Sequence, residues 1–518
     1  MRTTGPSTSD EPTPDEPNPD TPPGHLSPDE FRALGHRMVD RIADYWRTIE
    51  ERPVNPPTEP GEVEAALPAH APEHPEPWDA IFDDLGRIVE PNLTHWQHPG
   101  FFAFFPANAS FPAILGELAC AGLGAQGMLW STGPACTELE TRVLDWMADL
   151  LDLPPAFRSD APHPERGGGV IQGTASESTL VSLVAARSRL HARGIDGPVA
   201  IYTSDQAHSS VTKAAMIAGL ARTPDDHASL RVLPTRSDLS LDTDALRAAI
   251  ERDLAGGITP AWIGLTAGTT ATGAFDDIAA AAQIRGELCP DAWIHVDAAW
   301  AGVAAVCPEH RGFHAGLEHA ESYVTNAHKW LLTNFDCSLF YTRDREALNR
   351  AMSITPAYLR NEASDAGAVI DYRDWHVELG RRFRALKLWF VVRHYGAQGL
   401  RAHIRRHVAW AAELEDALRE DDRFEIASPR SLSLITFRVR EGPVLTGDDA
   451  TRELHRRLNA SGRTSLTLTT VPVGPDRAER AIIRLCIGAP TTERRHVEGV
   501  LELIRAEAGR VLDGYGVR

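Results

Sequence analysis

Two charged side chains stand where they could act together in chemistry. Asp297 ends an apolar run, 293–297, that is typical of a buried strand, and Lys329 follows a second short apolar run, 322–324. An acid at the end of a parallel strand lies at the sheet edge where α/β proteins bind ligands. A lysine just beyond such a strand is partly desolvated, which lowers its pKa and favours its use as a Schiff-base amine.

A glycine-rich segment upstream has the features of a phosphate site. Three glycines, 167–169, lead into the run 170–176, where Thr174 and Ser176 precede Glu177 at the start of a predicted helix. Such a helix start supplies unpaired N–H groups and a positive dipole end. One phosphate site, one acid and one lysine fit pyridoxal 5'-phosphate. The acid keeps the pyridine nitrogen protonated, the lysine holds the aldehyde as an imine, and the ring accepts electrons from the substrate.

The elements that must position these residues alternate along the middle of the chain. Helices are predicted over 177–190 and 243–255. The predicted buried strands are 198–202, 230–233, 261–265, 293–296 and 322–324. This alternation predicts an α/β fold with a mostly parallel sheet and helices on both faces.

The C-terminal part of the chain has a different pattern. A long helix is predicted over 384–419, and a further helix after Thr492. Between them, alternating runs predict strands over 431–440, 466–471 and 481–487. The pattern indicates a small α+β domain with an antiparallel sheet.

The N-terminus begins with a segment that cannot form a core. Residues 1–24 contain seven prolines and five acids, so we expect a disordered tail. Ser27, Pro28 and Glu30 then supply a helix cap, a first-turn proline and a capping-box acid. The apolar stripe that follows, from Phe31 to Ile49, must pack on another surface.

Composition narrows the class of protein. The 518 residues carry 52 basic and 72 acidic side chains, a net charge of −20, which argues against nucleic acid or an anionic membrane as a partner. The six cysteines are scattered and never form a C-x-x-C pair, and no apolar run is long enough to span a membrane. We therefore expect a cytoplasmic protein with reduced thiols.

Several motifs in chain order resemble the aromatic L-amino-acid decarboxylases, which are group II pyridoxal-phosphate-dependent decarboxylases, and in particular a bacterial type. The matching segments are 95–99, 130–140, 204–210, 295–299, 326–330 and 379–384. The resemblance extends from about residue 28 to the C-terminus. It implies the pyridoxal-phosphate transferase fold of type I and a homodimer. The expected domains are the tail 1–24, a helical dimerisation segment 25–110, a cofactor domain 111–386 and a small domain 387–518.

The resemblance also implies roles for individual residues. Lys329 would form the imine, Asp297 would face the pyridine nitrogen, and His208 would stack on the ring with Ala299 on its other face. Tyr358 resembles a mobile-loop tyrosine that protonates the substrate carbon. The full set expected to hold the cofactor is Thr174, Ala175, Ser176, His208, Thr270, Asp297, Ala299, Asn326, His328 and Lys329.

A further set of residues is expected to bind the substrate. The matching positions are Trp96, Phe104, Phe105, Pro106, Ala107, Gln126, Met128 and Gly380. In the family, Gly380 leaves room for a bulky ring, and Gln126 and Met128 match positions that reach the site from the neighbouring chain. Phe104 and Ala107 replace hydroxyl residues. This favours tryptophan or phenylalanine over DOPA, tyrosine or 5-hydroxytryptophan, although Gln126 could restore a polar contact.

Other functions compete with this interpretation. An aromatic aldehyde synthase or an aminotransferase could use the same scaffold; the synthases differ at the positions of His208 or Tyr358, both of which are of the decarboxylase type here. The run 122–127 satisfies G-x-G-x-x-G, but it follows a predicted helix, which disfavours an NAD-dependent oxidoreductase. Residues 307–319 contain one cysteine and three histidines, but the intervening glycines disfavour a zinc site, and no metal is expected.

Overall fold

The computed structural model describes residues 25–161, 167–354, 369–442, 446–474 and 477–514. They form two compact units. The smaller unit contains the described residues up to Arg52 together with Pro56–Thr94. The larger unit contains Pro53–Asn55 and the described residues from His95 onward. The α-helices are α1 (Pro28–Thr48), α2 (Glu62–Ala66), α3 (Trp78–Asp84), α4 (Phe111–Leu123), α5 (Pro134–Leu151), α6 (Ala175–Ala192), α7 (Ser210–Ile217), α8 (Thr243–Ala255), α9 (Ile278–Leu288), α10 (Ala327–Trp330), α11 (Arg345–Met352), α12 (Ala385–Arg419), α13 (Gly447–Ala460) and α14 (Arg494–Gly514). The strands are β1 (Gly168–Gln172), β2 (Val199–Ser204), β3 (Leu230–Leu233), β4 (Thr259–Thr266), β5 (Trp293–Asp297), β6 (Ser322–Asn326), β7 (Ser338–Thr342), β8 (Phe424–Ile426), β9 (Leu434–Val439), β10 (Thr467–Val473) and β11 (Ala478–Cys486).

The smaller unit contains α1, α2 and α3. Its first helix begins as predicted, because the Ser27 hydroxyl accepts a hydrogen bond from the Glu30 N–H and the Glu30 carboxylate accepts one from the Ser27 N–H. No residue of α1 is buried within this chain. Phe31 and Val39, on its apolar stripe, are 59 % and 48 % exposed.

The larger unit is built on a seven-stranded sheet in the order β1-β7-β6-β5-β4-β2-β3. Strands β3, β2, β4, β5 and β6 pair in parallel, which confirms the predicted mostly parallel sheet. The bounds of β3 and α8 agree with the prediction. Buried apolar side chains of β4 and β5, among them Ile263 and Ile294, form the core under this sheet.

Two strands at one edge of this sheet were not predicted. Strands β1 and β7 pair antiparallel with each other, and β7 pairs antiparallel with β6. Strand β1 begins with two glycines, which are poor strand formers and hide the pattern. The packing requires them, because a Cβ at Gly169 would lie 2.8 Å from the Tyr341 ring.

The C-terminal part holds the predicted antiparallel sheet, with four strands in the order β10-β11-β9-β8. Helix α12 matches the long predicted helix, except that Gly396 (φ 60°, ψ 174°) interrupts its helical backbone. The predicted domain boundaries remain predictions. They lie at the end of the tail, after residue 24, and after residues 110 and 386. No helix among the described residues is long and apolar enough to cross a membrane.

Candidate active site

A cavity of about 200 Å³ lies at the carboxyl edge of the central sheet. Strands β4, β5 and β6 run parallel and place Thr266 beside Asp297 and Asp297 beside Val324. All ten residues expected to hold the cofactor line this cavity. The topology explains the grouping, because the residues follow strands whose carboxyl ends meet at one edge.

Lys329 extends into this cavity from the short helix α10, directly after β6. Its Nζ lies 5.4 Å from the centre of the Phe105 ring. Burial lowers the pKa of this ammonium, the charge of Asp297 opposes that shift, and the charge of Arg484 adds to it. The chain has three lysines, Lys213, Lys329 and Lys387; Lys213 is exposed, and Lys387 is paired with Glu117 at 2.9 Å.

Asp297 occupies the last position of β5. One of its carboxylate oxygens accepts a hydrogen bond of 2.9 Å from the Ala299 N–H, which fixes the side chain at the turn after the strand. Lys329 and His208 both lie within the electrostatic reach of this carboxylate. An anion held there can retain a proton on a basic nitrogen of a bound ring.

His208 lies between β2 and α7. Its Nδ1 accepts the Ser210 N–H at 3.1 Å and lies 2.9 Å from the Ser210 hydroxyl. Because Nδ1 accepts, the proton of the neutral imidazole is on Nε2. Burial lowers the pKa of this histidine, partly offset by the charge of Asp297. The neutral ring therefore has the flat, apolar faces that stacking needs.

The N-terminus of α6 forms another wall. Thr174 is its N-cap, and the Thr174 side chain makes no capping hydrogen bond. Its hydroxyl is available to a ligand, as are the first-turn N–H groups that helix geometry leaves without intrahelical partners. Ala175 and Ser176, the first residues of the helix, line the cavity beside it. This arrangement suits a phosphate.

Three further predicted residues complete the cavity wall. His328 Nδ1 accepts the Cys337 N–H at 2.8 Å, and burial lowers the pKa of this imidazole to about 3. The Asn326 side-chain oxygen accepts the Ser338 hydroxyl at 2.7 Å. Thr270 belongs to a hairpin between β4 and α9 that the bridge Ala267–Phe275 closes.

The donor set fits pyridoxal 5'-phosphate. A half-buried lysine supplies the amine, a strand-end carboxylate faces the same space, and a helix N-terminus with an uncommitted N-cap hydroxyl provides the anion site. An aldehyde, a pyridine nitrogen and a phosphate are the groups that such a set would bind.

The eight predicted substrate residues are all described, but they are not grouped in this way. Phe105 lines the cavity and stacks on Trp300, with ring centres 4.4 Å apart. Trp96 and Phe104 stack on each other at 5.7 Å and are 37 % and 55 % exposed. Pro106 packs against Gly488, and the Ala107 carbonyl accepts a hydrogen bond from Gln97.

The remaining three substrate residues gather in a second place, called here the Gly380 corner (Gln126, Met128 and Gly380). The Gln126 side-chain oxygen accepts the N–H of Arg381 at 2.7 Å. A Cβ at Gly380 would lie 3.2 Å from the Gln126 side-chain nitrogen. None of the three lines the cavity around Lys329. Tyr358 lies outside the described residues.

Sequence reasoning missed several residues of the cavity. Thr266, Gly268, Trp300 and Phe335 also line it. Trp300 could have been predicted from the sequence, because it follows Asp297 by three residues. Arg484, which lies against Phe105, had no sequence signal, since no motif surrounds it and 154 residues separate it from Lys329 in the chain.

Two competing sequence patterns have other structural roles. The G-x-G-x-x-G run begins inside helix α4, which Gly124 terminates in a left-handed conformation, so no strand precedes it as a dinucleotide site requires. His314, from the histidine-rich stretch, lies 3.1 Å from the Tyr323 hydroxyl through its Nε2.

Comparison with known proteins identifies the class. Residues 60–440 match the pyridoxal-dependent decarboxylase conserved domain, which is most of the chain. The chain therefore belongs to this family and is a pyridoxal-phosphate-dependent carboxy-lyase.

Its relatives are more specific. The chain is 43 % identical to the phenylacetaldehyde synthase of Arabidopsis thaliana, over 94 % of this chain and 97 % of the relative. It is 41 % identical to the aromatic-L-amino-acid decarboxylase of Rattus norvegicus, over 93 % and 98 %. The crystal structure of Oryza sativa TDC with PLP and tryptamine matches with a TM-score of 0.88 and 40 % identity, over 94 % and 99 %.

These relatives place the chain among the aromatic amino-acid decarboxylases. They come from plants and a mammal, so they do not support the predicted assignment to a bacterial type.

Proposed function

We propose that this enzyme removes carbon dioxide from an aromatic L-amino acid and releases the arylalkylamine. Tryptophan or phenylalanine is favoured, followed by DOPA, tyrosine and 5-hydroxytryptophan. The observation that carries this proposal is the position of Lys329 in one cavity with Asp297, His208 and the α6 N-terminus.

Each residue has a distinct proposed task. Lys329 Nζ would hold the cofactor through an imine to its aldehyde. Asp297 keeps a proton on the ring nitrogen, and His208 and Ala299 hold the two faces of the ring. When bound, pyridoxal phosphate accepts the electron pair that the departing carboxyl group leaves behind. Tyr358 supplies the proton to the substrate carbon, as the family resemblance implies.

The substrate preference is supported by the apolar character of Trp96, Phe104 and Phe105. A pocket without a hydroxyl partner separates aromatic analogues by only about 1–3 kcal/mol, whereas a pocket that bonds a hydroxyl discriminates far more strongly. We therefore expect modest differences among substrates, with tryptophan and phenylalanine ahead.

The test measures carbon dioxide release from tryptophan, phenylalanine, tyrosine and DOPA without a keto acid. Release without an acceptor separates a decarboxylase from an aminotransferase. A 100-fold or greater preference for DOPA would overturn the substrate ranking.

An aromatic aldehyde synthase is the second candidate, because the Arabidopsis relative carries that name. The presence of both His208 and Tyr358 favours the decarboxylase. The same reaction mixtures distinguish the two, since a synthase releases one hydrogen peroxide and one aldehyde for each carbon dioxide and a decarboxylase releases the amine.

A cytoplasmic homodimer is part of the proposal. An amphipathic helix that buries none of its residues within its own chain needs a partner surface. We propose that segment 25–110 of a second copy of the chain covers the apolar face of this helix. The six cysteines are unpaired and buried, which supports a reducing compartment. Sedimentation analysis of the full chain should give twice the mass of 56.6 kDa; a monomer would contradict this part.

A further inference from the structure

Arg484 is an unusual cation in this part of the molecule. It lies on β11, between Thr436 of β9 and Thr467 of β10, and is 3 % exposed. Its guanidinium carbon lies 5.0 Å from the centre of the Phe105 ring, the same ring that Lys329 Nζ approaches to 5.4 Å. The C-terminal sheet thus places a second positive charge against the Phe105 ring, which lines the cavity.

Arg484 also holds the hairpin that carries Thr270. Its Nε donates a hydrogen bond of 2.8 Å to the Ala271 carbonyl. The hairpin bends at Gly268 and Gly273, both with positive φ, and the Ser431 hydroxyl donates to the Gly273 carbonyl at 2.7 Å. Two side chains from the C-terminal region therefore fix this hairpin, but Arg484 alone of the two carries a charge.

This charge has no acidic partner in the described chain. None of the ion pairs found among the described residues includes Arg484, and its Nη2 is buried without a hydrogen-bond partner. Burial lowers the pKa of the guanidinium to about 10, so it is still charged at neutral pH. An unpaired buried cation is costly, so its position beside a second cation calls for a function.

The groups that face Lys329 supply little negative charge. Asp297 is the carboxylate among them, while His208 and His328 are neutral because burial lowers the pKa of each. Burial raises the pKa of the Cys486 thiol to about 12, so that group is uncharged as well. Asp297 and Arg484 therefore act on Lys329 in opposite directions: the carboxylate favours the ammonium, and the guanidinium favours the amine.

We propose that Arg484 is a positioning residue that acts through Lys329 and Thr270: its charge favours the amine form of the lysine over the ammonium, and its Nε hydrogen bond seats the Thr270 hairpin. A neighbouring cation in a desolvated site activates a lysine as a nucleophile. The inference rests on the proposed function to the extent that Lys329 holds the cofactor.

The experiment measures how fast the full chain, freed of cofactor, captures pyridoxal phosphate as a function of pH. Borohydride reduction and peptide mapping then identify the modified lysine, which is simple with three lysines in the chain. The variants are Arg484→Gln, which loses the charge but retains a donor, and Arg484→Lys, which retains the charge. Ser431→Ala is the matched control, because it removes the other hydrogen bond to the hairpin without changing charge.

We expect the midpoint of the capture profile to rise by about one pH unit in Arg484→Gln, which slows capture about tenfold at pH values well below the wild-type midpoint. The rates should converge at high pH, where the lysine is an amine in every variant. Arg484→Lys and Ser431→Ala should retain the wild-type midpoint. If Arg484→Gln does not fold, Arg484→Met serves as the uncharged variant.

Each alternative result has a defined meaning. Superimposable profiles for wild type and the uncharged variant overturn the inference, as does an equal shift in Arg484→Lys. A raised KM for the amino acid with unchanged cofactor capture also overturns it and assigns Arg484 to substrate contact. If the wild type is not modified at Lys329, the proposed function fails instead.

Discussion

Two parts of the larger unit contain residues that the sequence assigned to the active site, and they differ in how those residues are arranged. Around Lys329, all ten expected cofactor residues line one cavity. At the Gly380 corner, Gln126 and Gly380 lie close to each other but outside that cavity. The residues expected to hold the cofactor are therefore brought together at one sheet edge, whereas the residues expected to select the substrate are dispersed. We expect substitutions in the cavity to affect chemistry and substitutions in the corner to affect stability or substrate choice.

Loss of the cavity amine should have the largest effect. Lys329→Ala should abolish the absorbance of the lysine-bound cofactor and reduce turnover about 10⁴-fold or more. Absorbance spectra and carbon dioxide release measure both effects. Lys213→Ala, at an exposed lysine, is the control and should behave as wild type. Full activity in Lys329→Ala would remove the cavity from the catalytic site altogether.

Loss of the cavity carboxylate should have the next largest effect. Asp297→Asn retains the size of the side chain but removes the anion that we propose to hold a proton on the cofactor ring. We expect kcat to fall about 10²–10³-fold, while Lys329 still binds the cofactor covalently. Steady-state kinetics on protein of known cofactor content measure this. An unchanged kcat would show that the carboxylate does not face the ring nitrogen.

Next to the Gly380 corner, loss of the buried ion pair between Arg381 and Glu140 should lower stability. Glu140 accepts the Arg381 guanidinium at 2.6 Å and the Ile171 N–H at 2.8 Å, and both partners of the ion pair are nearly inaccessible. Glu140→Gln leaves the guanidinium without its counter-charge, which should cost about 3–5 kcal/mol of unfolding free energy.

Urea unfolding followed by circular dichroism measures this loss. Glu138→Gln, at an exposed position on the same helix, retains an oxygen that can accept the Trp130 indole N–H and should cost less than about 1 kcal/mol. Equal losses in the two variants would show that the ion pair has no special role.

The smallest expected effect is on substrate choice. Gly380→Ser places a Cβ 3.2 Å from the Gln126 side-chain nitrogen. If the corner borders the aromatic ring of the substrate, the ratio of kcat/KM for tryptophan to that for phenylalanine should fall about tenfold, because pocket-size effects are worth about 1–3 kcal/mol.

Gly286→Ser is the control for this substitution, because a Cβ at Gly286 meets open space. A double substitution with Gln126→Ala should partly restore the ratio. An unaltered ratio in Gly380→Ser would separate the corner from substrate binding and confine its effects to stability.

Some elements of the fold follow from local sequence patterns, and others depend on packing between distant segments. Strand β3, helix α8 and the capped start of α1 were predicted because local patterns specify them: a short apolar run, a helical period between caps and a capping box. Strand β1 was missed because its glycines have no strand propensity of their own, and packing against Tyr341 selects them. The break at Gly396 was likewise not visible in the apolar pattern of α12.

The candidate site divides in the same way. Asp297 and Lys329 could be placed near each other from the sequence, because parallel strands bring their carboxyl ends to one edge. Arg484 could not, because it approaches the Phe105 ring from an antiparallel strand of a different sheet. A local pattern carries no information about which distant strand packs over Phe105.

By itself, the sequence determined the class of chemistry: an amine and an acid that each follow a predicted strand, a helix start suited to a phosphate, and the order of the motifs. Only the tertiary structure decided the electrostatic surroundings of Lys329, where the charges of Asp297 and Arg484 shift its pKa in opposite directions. It also decided that the Gly380 corner lies apart from that cavity. The reason is physical: residue type and spacing specify local groups, whereas burial and the neighbours that set a charge state arise when distant segments pack.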